Sequence, residues 1–290
     1  MKPATQTPAQ TAILRRNNVV MLGHDQGRPA LVFVNGFGCD QSVWRSVAPN
    51  FAGEHRIVLF DHVGIGRTEL SSTNAIRYAS LHGYADDLRE VCGAAGAHGA
   101  VLVGHSVGAI IGVLAAIRAP AMFRHLVLLA PSPCYLNEGS YLGGFEREDL
   151  DALLEAMDTN YRRWTHQVAP LIVGNPDRPE LAWELESGFN HIEPGVARRF
   201  ARLSYRSDYR ADMALLTIPT TVLQCTDDNM VPVVVGEFMR ESIRDCELIQ
   251  LRASGHCPHM SAPQEVSNVL ARLLEQDWAG TEPAELNAES

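Results

Sequence analysis

Residues 100–120 read AVLVGHSVGAIIGVLAAIRAP. A short apolar run of strand type enters Gly-His-Ser-Val-Gly, and a helix-length apolar run follows, closed by Pro120. GHSVG (104–108) fits G-x-S-x-G, a pattern that arises readily by chance in a chain with 23 glycines. Its weight comes from its flanks. Strand, glycine-rich turn and helix in immediate succession make a sharp elbow that lifts the Ser106 hydroxyl out of the sheet. A serine hydroxyl is a poor nucleophile at neutral pH. The elbow therefore asks for a base, for an acid that fixes the tautomer of the base, and for donors to a developing oxyanion.

Working outward, NNVVML (17–22), ALVFVNG (30–36) and HRIVLFDH (55–62) are predicted strands, with polar GHDQGRP between the first two. YADDLREVCGAAG (84–96) is a predicted helix closed by glycine, and RHLVLLAP (124–131) the strand after the elbow helix. Continuous Val, Leu and Ile runs separated by helices predict a mostly parallel sheet covered on both faces. From about 133 to 212 the alternation stops. DLDALLEAMDTNYRRWTHQVAPLIVG and RPELAWELESGFNHI read as helices, and strands resume only at PTTVLQC (219–225) and CELIQL (246–251), before the helix EVSNVLARLLEQ (265–276). An inserted cap is expected at 133–212, over a core of 12–132 and 213–276. Residues 1–11 read as a loose tail and 277–290 as an acidic one.

A formal charge of −10 opposes a nucleic-acid or anionic-membrane surface. No apolar run approaches membrane-spanning length, and MKPATQTPAQ lacks the hydrophobic centre of a signal peptide. The six cysteines follow no disulfide or zinc spacing and read as reduced thiols of a cytoplasmic protein. No dinucleotide or Walker motif occurs, HCPH (256–259) lacks a second ligand pair, and no cofactor or metal is expected. Asp61, at the end of a strand, reads as a turn former.

In a serine elbow of this kind the acid and then the base follow along the chain. VLQCTDDNMVP (222–232) offers Asp228 as the acid, with Asp227 capping the turn. RASGHCPHM (252–260) offers His256 as the base, with His259 as a packing or surface histidine. GFGCDQSVW (36–44) breaks off directly after a buried strand, and its glycines let the backbone turn inward. The Phe37 amide, with that of Val107, is expected to form the oxyanion hole.

These pieces resemble the α/β-hydrolase superfamily, and more narrowly the RsbQ-type bacterial regulators of the sigma-B stress pathway, relatives of the plant karrikin and strigolactone receptors. The resemblance runs from about 12 to 275. It is carried by GFGCDQSVW, LFDHVGIG, VGHSVGA, PSPCYLN, YLGGFE, NPDRPE, LQCTDD and GHCPHMS. It implies an α/β-hydrolase fold, with a mostly parallel central sheet flanked by helices and a four-helix, V-shaped cap inserted between strands. It also implies Ser106, Asp228 and His256 as a triad under a closed apolar pocket. That pocket is expected to be lined by Phe37, Tyr135, Phe145, Trp164, Val168, Ser204, Tyr205 and Met230, and to take a small hydrophobic ester or lactone. The resemblance further implies a signalling role through a partner such as a PAS-domain phosphatase.

Overall fold

The strands are β1 (Val20–Leu22), β2 (Leu31–Val34), β3 (Ile57–Leu59), β4 (Ala100–His105), β5 (Phe123–Leu129), β6 (Thr220–Asp227) and β7 (Cys246–Ser254). They appear in a computed structural model that describes residues 6–68 and 76–275. They form one sheet in the order β1-β3-β2-β4-β5-β6-β7. β1 runs antiparallel to β3, and every other pair is parallel. β2, β3 and β4 are buried at every residue, as their unbroken apolar sequences require of strands covered on both faces.

Between strands lie α1 (Pro8–Arg16), α2 (Leu81–Ala94) and α3 (Val107–Arg118), with α8 (Val233–Ser242), α9 (Pro258–Ser261) and α10 (Pro263–Glu275) near the C-terminus. α1 begins inside the stretch 1–11 that the sequence reads as a tail. Thr7 and Gln10 close a reciprocal capping box around Pro8. Arg16, in the last turn, reaches buried Asp87 at 3.1 Å and Glu90 at 2.8 Å. Asn17 caps this helix and Asn18 takes φ 46°, which cuts the predicted strand NNVVML back to its last three residues. Residues 1–5 and the acidic tail 277–290 lie outside the described residues.

The helical interruption between β5 and β6 resolves into α4 (Arg147–Thr159), α5 (Tyr161–Val173), α6 (Pro179–Asn190) and α7 (Pro194–Tyr205). Asn160 divides the first long stretch by accepting from the Arg163 amide at 3.0 Å, an N-cap that starts a new helix. Glu193 and Pro194 start α7 in the same way.

Strand order decides where chemistry can sit. The chain leaves β2 for β3 on one side and returns to β4 on the other, so the loops following β2 and β4 diverge and leave a crevice at the carboxyl ends. GFGCDQSVW and GHSVG are those two loops.

Candidate active site

Ser106 sits between β4 and α3 with φ 53° and ψ −124°, a left-handed backbone that costs roughly 1–3 kcal/mol for a residue with a side chain. The neighbouring glycine relieves crowding: a Cβ on Gly108 would lie 2.3 Å from the Asn35 carbonyl oxygen. With that space open, α3 starts directly against the end of β2. Gly38 takes φ 80°, and a Cβ there would lie 2.0 Å from the Phe189 ring. The loop after β2 therefore turns inward beneath α6.

Ser106 Oγ lies 2.8 Å from His256 Nε2, and His256 Nδ1 lies 2.9 Å from Asp228 Oδ2. The Asp228 side chain is fully buried, and its other oxygen accepts from the amides of Met230 (2.8 Å) and Val231 (3.2 Å). Asp227 points elsewhere, accepting from Ser254 Oγ at 3.0 Å. His259 is buried between the rings of Trp44 and His105, at 4.6 and 4.4 Å between centroids, with neither ring nitrogen bonded. It is a packing residue. Burial, with His105 and His256 nearby, holds it well below the ordinary histidine range. Burial also lowers His105 to about 3, and its Nε2–H donates to the His256 carbonyl at 2.8 Å.

Val107 opens α3, so its amide has no acceptor within the helix. Neither it nor the Phe37 amide bonds to another backbone group among the described residues. The loop carrying Phe37 is braced through Asn35, whose Oδ1 accepts from Trp44 Nε1 at 2.8 Å and whose Nδ2 donates to the Phe60 carbonyl at 2.9 Å. The Asn35 carbonyl accepts from His62 Nε2–H at 3.0 Å, and burial lowers that histidine to about 4. Asp61, expected to form a turn, accepts from the Arg67 amide and also holds the Gln41 amide and Asn18. These braces were missed in the sequence. Trp44 and His62 stand within quoted motifs, but nothing in their spacing says what they hold.

The cavity at Ser106 is about 20 Å³, room for a water molecule or so. Phe37, Tyr135, Ser204 and Tyr205 line it, together with buried Cys257 beside His256 and with Ile172 and Leu185, which the sequence did not single out. Tyr135 Oη lies 3.3 Å from Ser106 Oγ, and burial pushes its hydroxyl up to about 12. The remaining expected pocket residues do not line this cavity. The Phe145 ring sits 6.3 Å from that of Tyr135, and the Trp164 ring 6.3 Å from that of Phe37. Val168 and Met230 are buried. Phe37 joins the two halves, meeting Phe189, Phe200 and Tyr205 at 5.2, 6.0 and 6.1 Å.

A strained serine at a strand–helix elbow, a histidine in reach and a sheet of this order define a class, and the chain belongs to the alpha/beta hydrolase family, whose profile matches residues 31–269. It is 39% identical over 264 residues to Probable esterase D14L of Oryza sativa subsp. japonica, covering 91% of this chain and 97% of that protein. It is 36% identical over 264 residues to Karrikin insensitive 2 receptor CA of Petunia hybrida, again covering 91% and 97%. A hydrolase structure from Oleispira antarctica matches with a TM-score of 0.88 at 33% identity, covering 92% of this chain and 98% of that one. The resemblance read from the sequence therefore stands.

Proposed function

We propose that the chain hydrolyses a small hydrophobic carboxylic ester or lactone through Ser106, His256 and Asp228. The observation that carries this is the continuous hydrogen-bonded line from Ser106 Oγ through His256 to Asp228, at 2.8 and 2.9 Å. His256 Nε2 takes the Ser106 proton as Oγ bonds to the substrate carbonyl carbon, and the Phe37 and Val107 amides donate to the resulting oxyanion. Collapse of the tetrahedral species breaks the ester C–O bond, and the departing alkoxide takes the proton from His256. Water, deprotonated by the same nitrogen, then releases the acid and restores Ser106. The helices of 133–212 act as a cap that excludes bulk water, and the aromatic lining favours apolar acyl groups. Ser106→Ala should abolish hydrolysis of p-nitrophenyl acetate, leaving the melting temperature within a few degrees of the parent. Retained turnover in that variant rules out the nucleophile.

A second reading is favoured by the size of the cavity. About 20 Å³ cannot hold an ester, so binding must displace the roof, and a displaced roof is a surface that a partner can sense. Kinship with a protein named a receptor supports the same role. In this reading slow turnover or ligand binding controls a partner, with a PAS-domain phosphatase as the class implied by the RsbQ-type resemblance. A cytoplasmic location suits both readings: all six cysteines are unpaired, and no helix among the described residues is long and apolar enough to cross a membrane.

A further inference from the structure

NPDRPE (175–180) lies far along the chain from Ser106, Asp228 and His256, yet the side chains of Asn175 and Arg178 end on the loop that carries His256. α5 ends at Val173 with its last carbonyls unpaired within the helix. Their partners come from the loops below. The His256 amide donates to the Ile172 carbonyl at 2.9 Å, and Asn229 Nδ2 to that of Leu171 at 3.0 Å. Asn175 Nδ2 donates both to the Val173 carbonyl, at 2.8 Å, and to the Ser254 carbonyl, at 2.9 Å. Asn175 Oδ1 in turn accepts from Arg178 Nη2 at 2.6 Å, while Arg178 Nη1 donates to the Ser261 carbonyl at 2.7 Å. The two side chains thus clip both ends of the segment 254–261, with the candidate base inside it. Contact is close enough that a Cβ on Gly255 would lie 1.7 Å from the Val173 carbonyl oxygen.

Resting on the esterase reading above, we infer that Asn175 and Arg178 are positioning residues for His256. They touch neither substrate nor the reacting atoms. They fix the backbone from which the imidazole projects, and a displacement of about 1 Å at a reacting group can cost on the order of 10²-fold in rate.

Asn175 has φ 58°, so Asn175→Gly keeps the backbone unstrained and removes only the amide. Arg178→Lys keeps the charge but cannot reach both acceptors at once. With p-nitrophenyl acetate as probe, each variant should lose tenfold or more in kcat, with KM within about twofold and the melting temperature within a few degrees. The acylation burst should slow in parallel. A kcat within twofold of the parent, a rise in KM alone, or a loss that tracks an unfolded fraction by circular dichroism would overturn the assignment. Arg178→Lys decides the matter if Asn175→Gly fails to fold. Ser106→Ala run alongside separates the two claims: activity there defeats the esterase reading, whereas an inert Ser106→Ala beside a fully active Asn175→Gly defeats only the clip.

Discussion

Replacing Asp228 by asparagine tests the line of hydrogen bonds at its most restrictive point. One carboxylate oxygen of Asp228 faces two backbone donors, the Met230 and Val231 amides, and the other faces His256 Nδ1. Asparagine has only one oxygen. If its NH2 group turned toward the two amides, both would be left buried without an acceptor, at about 1–3 kcal/mol each. The oxygen therefore stays with the amides and the NH2 group faces Nδ1. Nδ1 must then accept, which places the imidazole proton on Nε2, pointing at Ser106 Oγ. A ring in that tautomer cannot take the serine proton. A preference of roughly 2–6 kcal/mol for this arrangement leaves the competent tautomer at about one part in 30 to one part in 10⁴. The lower limit matches the fall of about 10⁴ known when the acid of a serine-protease triad is made an amide. The assay is kcat for p-nitrophenyl acetate with the melting temperature measured in parallel, since every buried amide keeps its acceptor and the fold should persist. An asparagine variant turning over within about threefold of the parent would refute the assigned tautomer and, with it, the role of Asp228.

Acid should destabilise the protein starting near pH 6.5. His62, His105 and His259 are buried with lowered affinity for a proton, His62 to about 4 and His105 to about 3, so on acidification the unfolded chain takes up protons first. Stability from these groups is full above the unfolded histidine range and falls by about 1.4 kcal/mol per pH unit for each. Urea midpoints at pH 7.5 and 5.0 measure this, and an equal or higher midpoint at pH 5.0 would contradict it. Gly108→Ala should cost roughly 1–3 kcal/mol and most of the activity, because its methyl would meet the Asn35 carbonyl at 2.3 Å. A variant with parental melting temperature and kcat would show that the elbow has slack.

The elbow was legible because it follows the continuous apolar run of β4, and Asp228 and His256 because each follows a later strand, in the chain order that such sites keep. α1 was not legible. PAQTAILRR has no buried residue, and its place depends on Arg16 finding Asp87 and Glu90 far along the chain. The cavity lining was half legible for a related reason. Helical spacing shows which face of α5 or α6 is apolar, but the depth of Ile172 and Leu185 relative to Trp164 and Val168 depends on how four helices cross. α7 has its buried residues, Ala197, Phe200, Ala201, Ser204 and Tyr205, at helical spacing opposite Arg198, Arg199 and Arg202, but only Phe200 and Tyr205 of that face are large, so its apolar signal is thin.

Charge gives the surrounding histidines a meaning that packing alone does not. In the proposed cycle His256 becomes an imidazolium, with the rings of His105 at 5.1 Å and, beyond it, His259. Were either of them protonated, like charge in a buried site would oppose the proton that His256 must accept. His259 has no bond to either ring nitrogen, and His105 spends its one N–H on the His256 carbonyl, so neither has an acceptor that would stabilise a second proton. Both stay neutral at the pH where an ester would be cleaved. Among the described residues Asp228 is then the one carboxylate hydrogen-bonded to His256, and its negative charge faces the positive charge that forms. The apolar burial that lowers these two histidines thus also spares the imidazolium a like charge at His105 or His259.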